Sequence, residues 1–365
     1  MIIAGVSIIN LDALKGIGMN RTTRRISVGI IVAVFIVTAL LLRGQRQVQA
    51  DSGYRLAMGT FARVVVIAPD SRTAQISIKE ALDEILMVDN FMSDYKEDSE
   101  ISKINREGYK AAVKVSQRTF EVLQEAIRYS ELSQGAFDVT VGPLVDLWRS
   151  AAEANSIPSE TELEQARSKV GYEKLLLDAN EMSVRLAVEG MRLDLGGIAK
   201  GYAIDLAVEA MQRVGALGAM VDIGGDIRCF GTAPKERKKW RIGLQDPNVP
   251  AETVIGGTPT LVLELGDAAV ATSGGYRRFT LIEGQKYSHI ISTSTARGAD
   301  GPASVTIIAP KAIDADALAT AVTVLGPEKG LALIEGIPDT EAILISAGPE
   351  YKITKTAGAE KYMKP

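Results

Sequence analysis

The chain has one cysteine, Cys229, and one histidine, His289, in 365 residues. A lone cysteine excludes any intrachain disulfide, and no Cys/His spacing suits zinc. Set in the strand-like run DIRCFG, Cys229 reads as a small buried apolar residue. A Ser-His-Asp triad would have to pass through His289, and no G-x-S-x-G elbow supports one. Positive charge is also short: 41 Lys and Arg against 45 Asp and Glu leave a formal charge of -4, with a pI near 5.4. No Lys/Arg block with interleaved aromatics occurs beyond the N-terminal region, which argues against a nucleic-acid surface. Chemistry is left to carboxylates, hydroxyls, backbone dipoles and a hard metal ion. What is plentiful is apolar side chain, 46% of the residues, enough for one large domain or two smaller ones.

One long hydrophobic run is present, ISVGIIVAVFIVTALLL from Ile26 to Leu42, with Arg21, Arg24 and Arg25 before it. It suits a slightly short membrane span, and the arginines hold that end in the cytoplasm. The rest of the chain is then expected on the periplasmic side of the inner membrane. Val48-Gln49-Ala50 has the spacing of a signal-peptidase site, but the run exceeds the usual h-region and Arg43 and Arg46 intervene, which favours an uncleaved anchor. No cysteine closely follows the run, so a lipoprotein is excluded. Met19 opens MNRTTRRIS in the manner of a true n-region and is an alternative start. The expected division is a cytoplasmic stub and anchor over 1–50 and a folded domain over 51–365.

Met58-Gly59-Thr60 leads into a β-branched strand. Ile78, Ala81, Leu82, Ile85 and Val88 recur at helical spacing. MSDYKEDSEISKIN reads as a polar turn, and Ser116 as the cap of a second helix that stops at Gly135. AFDVTVGPLVDLW, broken at Gly142-Pro143, reads as a core-capping turn. A polar helical insertion follows over 151–170, with Ser159 and Glu162 in capping-box spacing. Beyond KLLLD and SVRLA, most of the chain is strand-like, with Gly224-Gly225 interrupting one strand as a bulge or close approach. The last long helix begins near Asp314 and ends at Gly326-Pro327, and a final helix follows near 328–335. Antiparallel-looking strands mixed with a few long helices predict an α+β fold rather than a doubly wound parallel sheet.

Three places carry chemistry. In LDLGGIAKGYAID, Leu193 to Asp205, a strand-like run meets Gly196 and Gly197 and then a helix. Glycines there permit a tight turn and close approach by a ligand, and the helix N-terminus beyond favours an anion such as phosphate. An ordinary strand-to-helix turn would look the same. In AIDADALATAVTVLG, Asp316 and Thr320 lie four apart on one helical face, a carboxylate and a hydroxyl of the kind magnesium takes. An Asp near a helix start also serves simply as a dipole partner. His289, in KYSHIISTSTARG, is either a packed strand residue or a general base.

Taken in order, MGT at 58–60, SDYKEDSEISKIN, FDVTVGPLVDLW, LDLGGIAKGYAID, VDIGGDIRCFG, ATSGGYRRF, SHII, SVTIIAP and DALATAVTVLGPEKG resemble the FAD:protein FMN transferase family, the ApbE flavin transferases. The likeness runs from about residue 54 to the C-terminus and implies an ApbE-like, T-fold-like architecture. Members use magnesium to move the FMN part of FAD onto a threonine of a partner protein, often a membrane redox subunit outside the cytoplasm, releasing AMP. By position, the resemblance places Met58, Tyr95, Ala136, Phe137, Asp138, Asp194, Lys200, Ile291 and Ala319 around FAD. It assigns Asp316, Thr320 and the Gly197 carbonyl to magnesium, and makes His289 the base that deprotonates the acceptor threonine. One departure stands out: the family's Asp-Pro-x-Thr-Gly turn after the histidine is here Ser292-Thr293-Ser294-Thr295-Ala296-Arg297-Gly298. Two other readings remain open, an FAD pyrophosphatase yielding FMN and AMP, and a flavin-binding protein without catalysis.

Overall fold

Strand β3, Thr60–Ala68, holds the β-branched run Val64 to Ile67, and almost every residue from Ala62 on is buried on whichever face it points to. Such a strand needs cover on both sides. The computed structural model supplies it for the described residues, which are 47–247, 259, 261–274, 279–346 and 352–364, with Ile30. Apart from Ile30, the apolar run 26–42 lies outside them, as does the alternative start at Met19.

The strands are β1 (Val48–Asp51), β2 (Arg55–Ala57), β4 (Val113–Lys114), β5 (Leu175–Asp178), β6 (Ser183–Leu186), β7 (Gly218–Ile223), β8 (Asp226–Gly231), β9 (Trp240–Leu244), β10 (Leu261–Leu265), β11 (Ala268–Ser273), β12 (Phe279–Ile282), β13 (Gln285–Ser288), β14 (Ile291–Ser292), β15 (Arg297–Gly298), β16 (Ser304–Ala309), β17 (Glu341–Ile345) and β18 (Ile353–Lys355). Nine of them make the central sheet, in the order β1-β3-β7-β8-β11-β16-β17-β18 with β2 also on β3. Its strand pairs are antiparallel.

Seven α-helices accompany them among the described residues from 47 on: α1 (Ser71–Met92), α2 (Glu100–Glu107), α3 (Gln117–Leu132), α4 (Gly142–Ala154), α5 (Glu160–Arg167), α6 (Ala199–Arg213) and α7 (Ala312–Glu335). Alternation along β3 divides the core. Val64 and Val66 join Ala81, Ile85, Ile204, Val208, Leu318 and Val322 in the helical layer. Val65 and Ile67 face the other way, with Cys229, Val270 and Ile308, under the β9–β10 ribbon carrying Trp240, Ile242 and Leu263. Cys229 is buried and free, and burial pushes its thiol up, so it behaves as the inert apolar residue expected. A third cluster holds Leu144 and Trp148 of α4 against Leu163, Ile282 and Ile291. The fold is α+β.

The caps follow the sequence: Ser116 accepts from Thr119 N–H, and Ser159 forms the full capping box with Glu162. Several local expectations change. The polar turn after Ser93 ends in α2, because Ser99 caps it and Ile101 and Ile104 bury one face. The supposed turn at Gly142-Pro143 starts α4, since a proline costs nothing in a first turn where its N–H would be unpaired. Gly224-Gly225 is neither bulge nor interruption but a two-residue hairpin loop joining β7 to β8, with φ of 64° and 95°. The run ending at Asp194 is not a strand; only Arg192 bridges, to Val141. Helix α7 begins two residues early, at Ala312, while its break at Gly326 and the helical turn beyond it to Glu335 are as expected. It is long and apolar enough to cross a membrane, yet its first half is packed in the core.

Candidate active site

Helix α6 crosses α7 with almost nothing between them. A Cβ on Gly201 would stand 2.3 Å from the Ala312 carbonyl oxygen, so only glycine permits the crossing. Asp205, one turn further along α6, accepts from Ala312 N–H and Ile313 N–H at 2.9 and 3.0 Å and from Arg228 of β8 at 2.6 Å. That carboxylate caps α7 and ties both helices to the sheet. The result brings Asp316 of α7 over the first turn of α6.

A cleft of ≈ 450 Å³ opens at this crossing. Ala136, Phe137, Asp138, Asp194, Gly197, Lys200, His289, Ile291, Asp316 and Thr320 all line it. Met58, Tyr95 and Ala319 do not. Met58 occupies a left-handed turn residue (φ 53°) between β2 and β3 and packs on the main core. Ala319 is wholly buried in α7. Tyr95 is 61% exposed, its hydroxyl donating to Asp89 at 2.8 Å.

Asp316 is buried, and its two oxygens accept from Lys200 Nζ and from Gly201 N–H, each at 3.0 Å. The carboxylate of the chain itself therefore sits on the α6 N-terminus. Burial pushes the Asp316 carboxyl up to about 6, with Lys200 acting against it. Lys200 also donates to Asp226 at 2.5 Å. Burial opposes its charge, but Asp226 and Asp316 outweigh that and hold the ammonium above the ordinary lysine value. Gly197 faces Thr320: a Cβ there would lie 2.9 Å from the Thr320 hydroxyl oxygen and 3.3 Å from the Phe137 ring. Asp194 accepts from Gly196 N–H at 2.8 Å, and burial in the cleft wall raises its carboxyl.

Asp138 lines the cleft with its carboxylate already committed. One oxygen accepts from the Thr140 N–H and hydroxyl at 2.8 and 2.7 Å, the other from Tyr172 N–H at 2.9 Å. Around the departure from the family turn, Ile291 and Ser292 pair with Arg297 and Gly298 in a short hairpin. Thr293 donates to the Gly135 carbonyl at 2.7 Å and Trp148 Nε1 to the Ala296 carbonyl at 2.8 Å. The altered loop is thus pinned on both sides of its tip, and His289, an exposed residue on the cleft wall, precedes it directly.

The cleft contains residues that sequence reasoning passed over. Thr60 belongs to the MGT stretch and meets the hairpin, since a Cβ on Gly224 would stand 3.0 Å from it. Asp226 follows that hairpin, and its signals were the Gly224-Gly225 pair and the VDIGGDIRCFG stretch around it. Thr272 and Ser273 also line the cleft and lie in the ATSGGYRRF stretch, whereas Arg149 carried no signal, because nothing local marks a helix residue as facing a cavity.

The donor set suits a hard divalent cation. Among the described residues, no group of three or more His, Cys, Asp or Glu could hold a metal. Asp316, the Thr320 hydroxyl and the Gly197 carbonyl are instead hard oxygen donors, and the missing Cβ at Gly197 lets its backbone lie against Thr320.

Residues 58–344 match the model of the ApbE family. The chain is 38% identical over 269 residues to the FAD:protein FMN transferase of Vibrio cholerae, covering 73% of this chain and 77% of that protein. Its likeness to the transferase of the same name from Treponema pallidum is 33% over 332 residues, 86% and 89% of the two chains. Among solved structures, the ApbE protein of Thermotoga maritima superposes with a TM-score of 0.76 at 30% identity, over 88% of this chain and all of that one. The flavin transferase ApbE of Vibrio cholerae gives 0.72 at 32%, over 87% and 99%. A match this long, on sequence and on fold alike, means that the chain belongs to the ApbE family.

Proposed function

We propose that this chain moves the FMN part of FAD onto a threonine hydroxyl of a partner protein, with magnesium, releasing AMP. The observation that carries the reading is the meeting, in one cleft, of Asp316, Thr320, Gly197 and Lys200 with His289. Asp316, Thr320 and the Gly197 carbonyl are assigned to the metal, which when bound neutralises pyrophosphate charge during attack at phosphorus. Lys200 adds a fixed positive charge on the same wall. His289 takes the proton of the acceptor threonine. The threonine oxygen forms the new bond to the FMN phosphorus, the phosphoanhydride bond to AMP breaks, and AMP leaves with that electron pair. Ala136, Phe137, Asp138, Asp194 and Ile291, which line the cleft, are assigned to the flavin nucleotide.

The N-terminal run 26–42 is proposed to anchor the protein in the inner membrane, with the catalytic domain in the periplasm, where a membrane redox subunit is the expected acceptor. The stub and anchor then end before Val48 rather than at residue 50, because β1 already belongs to the sheet of the catalytic domain, Val48–Pro365.

The test is to incubate the detergent-solubilised full chain with FAD, magnesium and a candidate acceptor, and to measure acceptor mass, free FMN and AMP. A mass gain equal to bound FMN, with AMP in equal amount, is expected. FMN and AMP without acceptor labelling would instead make the protein an FAD pyrophosphatase, and unchanged FAD would leave a flavin-binding protein.

A further inference from the structure

Asp226 is the first residue of β8, held at the exit of the Gly224-Gly225 hairpin, and it is 5% exposed. One of its oxygens accepts from Thr272 N–H of β11 at 3.3 Å, and the other accepts from Lys200 Nζ at 2.5 Å. Lys200 sits on the first turn of α6, in the opposite layer, and reaches Asp316 of α7 as well. Three elements that share no sequence proximity thus converge on a single ammonium. The arrangement is asymmetric. Each carboxylate has one backbone donor, Gly201 N–H for Asp316 and Thr272 N–H for Asp226, but the lysine lies at 3.0 Å from the first and 2.5 Å from the second, which holds it from a strand position.

An ammonium has three N–H donors, and two are spent on these carboxylates. Lys200, Asp226 and Asp316 all line the cleft, and the lysine is the one of the three with appreciable exposure, 23% of its side chain. A lysine stem is flexible, so an ammonium that is to present its remaining donor in a fixed direction needs a tether. We propose that Asp226 is a positioning residue for the substrate diphosphate: it holds Lys200 against the sheet so that the lysine's free N–H faces the cleft. This inference rests on the flavin-nucleotide reading of the site and deepens it. Asp226 does not touch the diphosphate; it acts through Lys200.

The test compares Asp226→Asn, Lys200→Met and the double variant with wild type in the full-length protein. Binding of FAD and of riboflavin is followed by flavin fluorescence in EDTA, where no turnover intervenes, and melting temperature is recorded alongside. Asn keeps an acceptor for Thr272 N–H while removing the charge that holds the lysine. Asp226→Asn is expected to weaken FAD about tenfold, the loss of one charge-assisted hydrogen bond to the diphosphate. Riboflavin, which has no phosphate, should bind unchanged. In the Lys200→Met background the Asp226 change should have no further effect on FAD. Equal weakening of riboflavin, or additive loss in the double variant, would overturn the proposal in favour of a structural role. If Asp226→Asn alone fails to fold, the double variant against Lys200→Met still decides the matter, because the ammonium that Asp226 balances is absent from both. Failure of the wild type to bind FAD in EDTA or in magnesium would instead overturn the functional reading itself.

Discussion

At the scale of single residues, the site sets groups assigned to the reaction beside groups employed in holding the fold. Asp316 is shared between Lys200 and Gly201, yet its place beside Thr320 and the cleft makes it the only carboxylate assigned to the metal. Asp316→Ala is expected to abolish transfer, read as loss of AMP release, and undiminished activity in that variant would refute the metal assignment. His289→Ala should slow transfer by about 10²–10⁴-fold, the usual span of one general base, with FAD affinity kept. Loss of FAD binding there would mark a structural histidine. Asp138 belongs to the employed kind. Its buried carboxylate serves Thr140 and Tyr172, so Asp138→Ala is expected to cost about 2–4 kcal/mol of stability in denaturant titration, through stranded backbone donors. An unchanged midpoint with weakened FAD binding would show that its carboxylate serves the nucleotide rather than the fold.

Among the elements, α7 decides most. Its first half carries Asp316 and Thr320 and is fixed by Asp205 at its start and by Gly201 at the crossing with α6. The kink beyond that half has φ 76° and ψ 178° at Gly326, a backbone region open essentially to glycine alone. A Cβ on Gly326 would meet nothing within 4 Å, so any cost of Gly326→Ala is backbone strain, about 1–3 kcal/mol. The expected result is a lower melting temperature with transfer per folded molecule unchanged, because the site residues lie before the kink. A matching fall in turnover would mean that the second half of the helix helps to orient the first.

On the scale of the whole molecule, the central sheet begins in sequence at Val48. Strand β1 pairs with β3 from Val48 opposite Ala68 to Asp51 opposite Val65, and Asp51 forms an ion pair with Arg63 at 2.5 Å. Removing residues 1–46 is expected to leave a protein with the melting temperature of the catalytic domain intact. Removing residues 1–52 takes away an edge strand and should lower it by several degrees in calorimetry. Equal melting of the two truncations would show that β1 adds nothing to the sheet. The long apolar helix α7 offers its hydrophobic residues to the core, which is why its composition resembles a span without implying one.

Much of this was legible in the chain itself. Helical periodicity fixed α1, the side-chain caps fixed α3 and α5, and the spacing of Asp316 and Thr320 put both on one face of a helix, since these follow from local geometry alone. Local signals misread Gly142-Pro143 and Gly224-Gly225, where the same residues suit a break, a helix start or a hairpin, and only packing chooses among them. The pairing of Lys200 with Asp226 and Asp316 was settled by tertiary structure: the partners lie 26 and 116 residues from the lysine, and it is the glycine crossing of α6 over α7 and the antiparallel sheet beneath that bring their charges together.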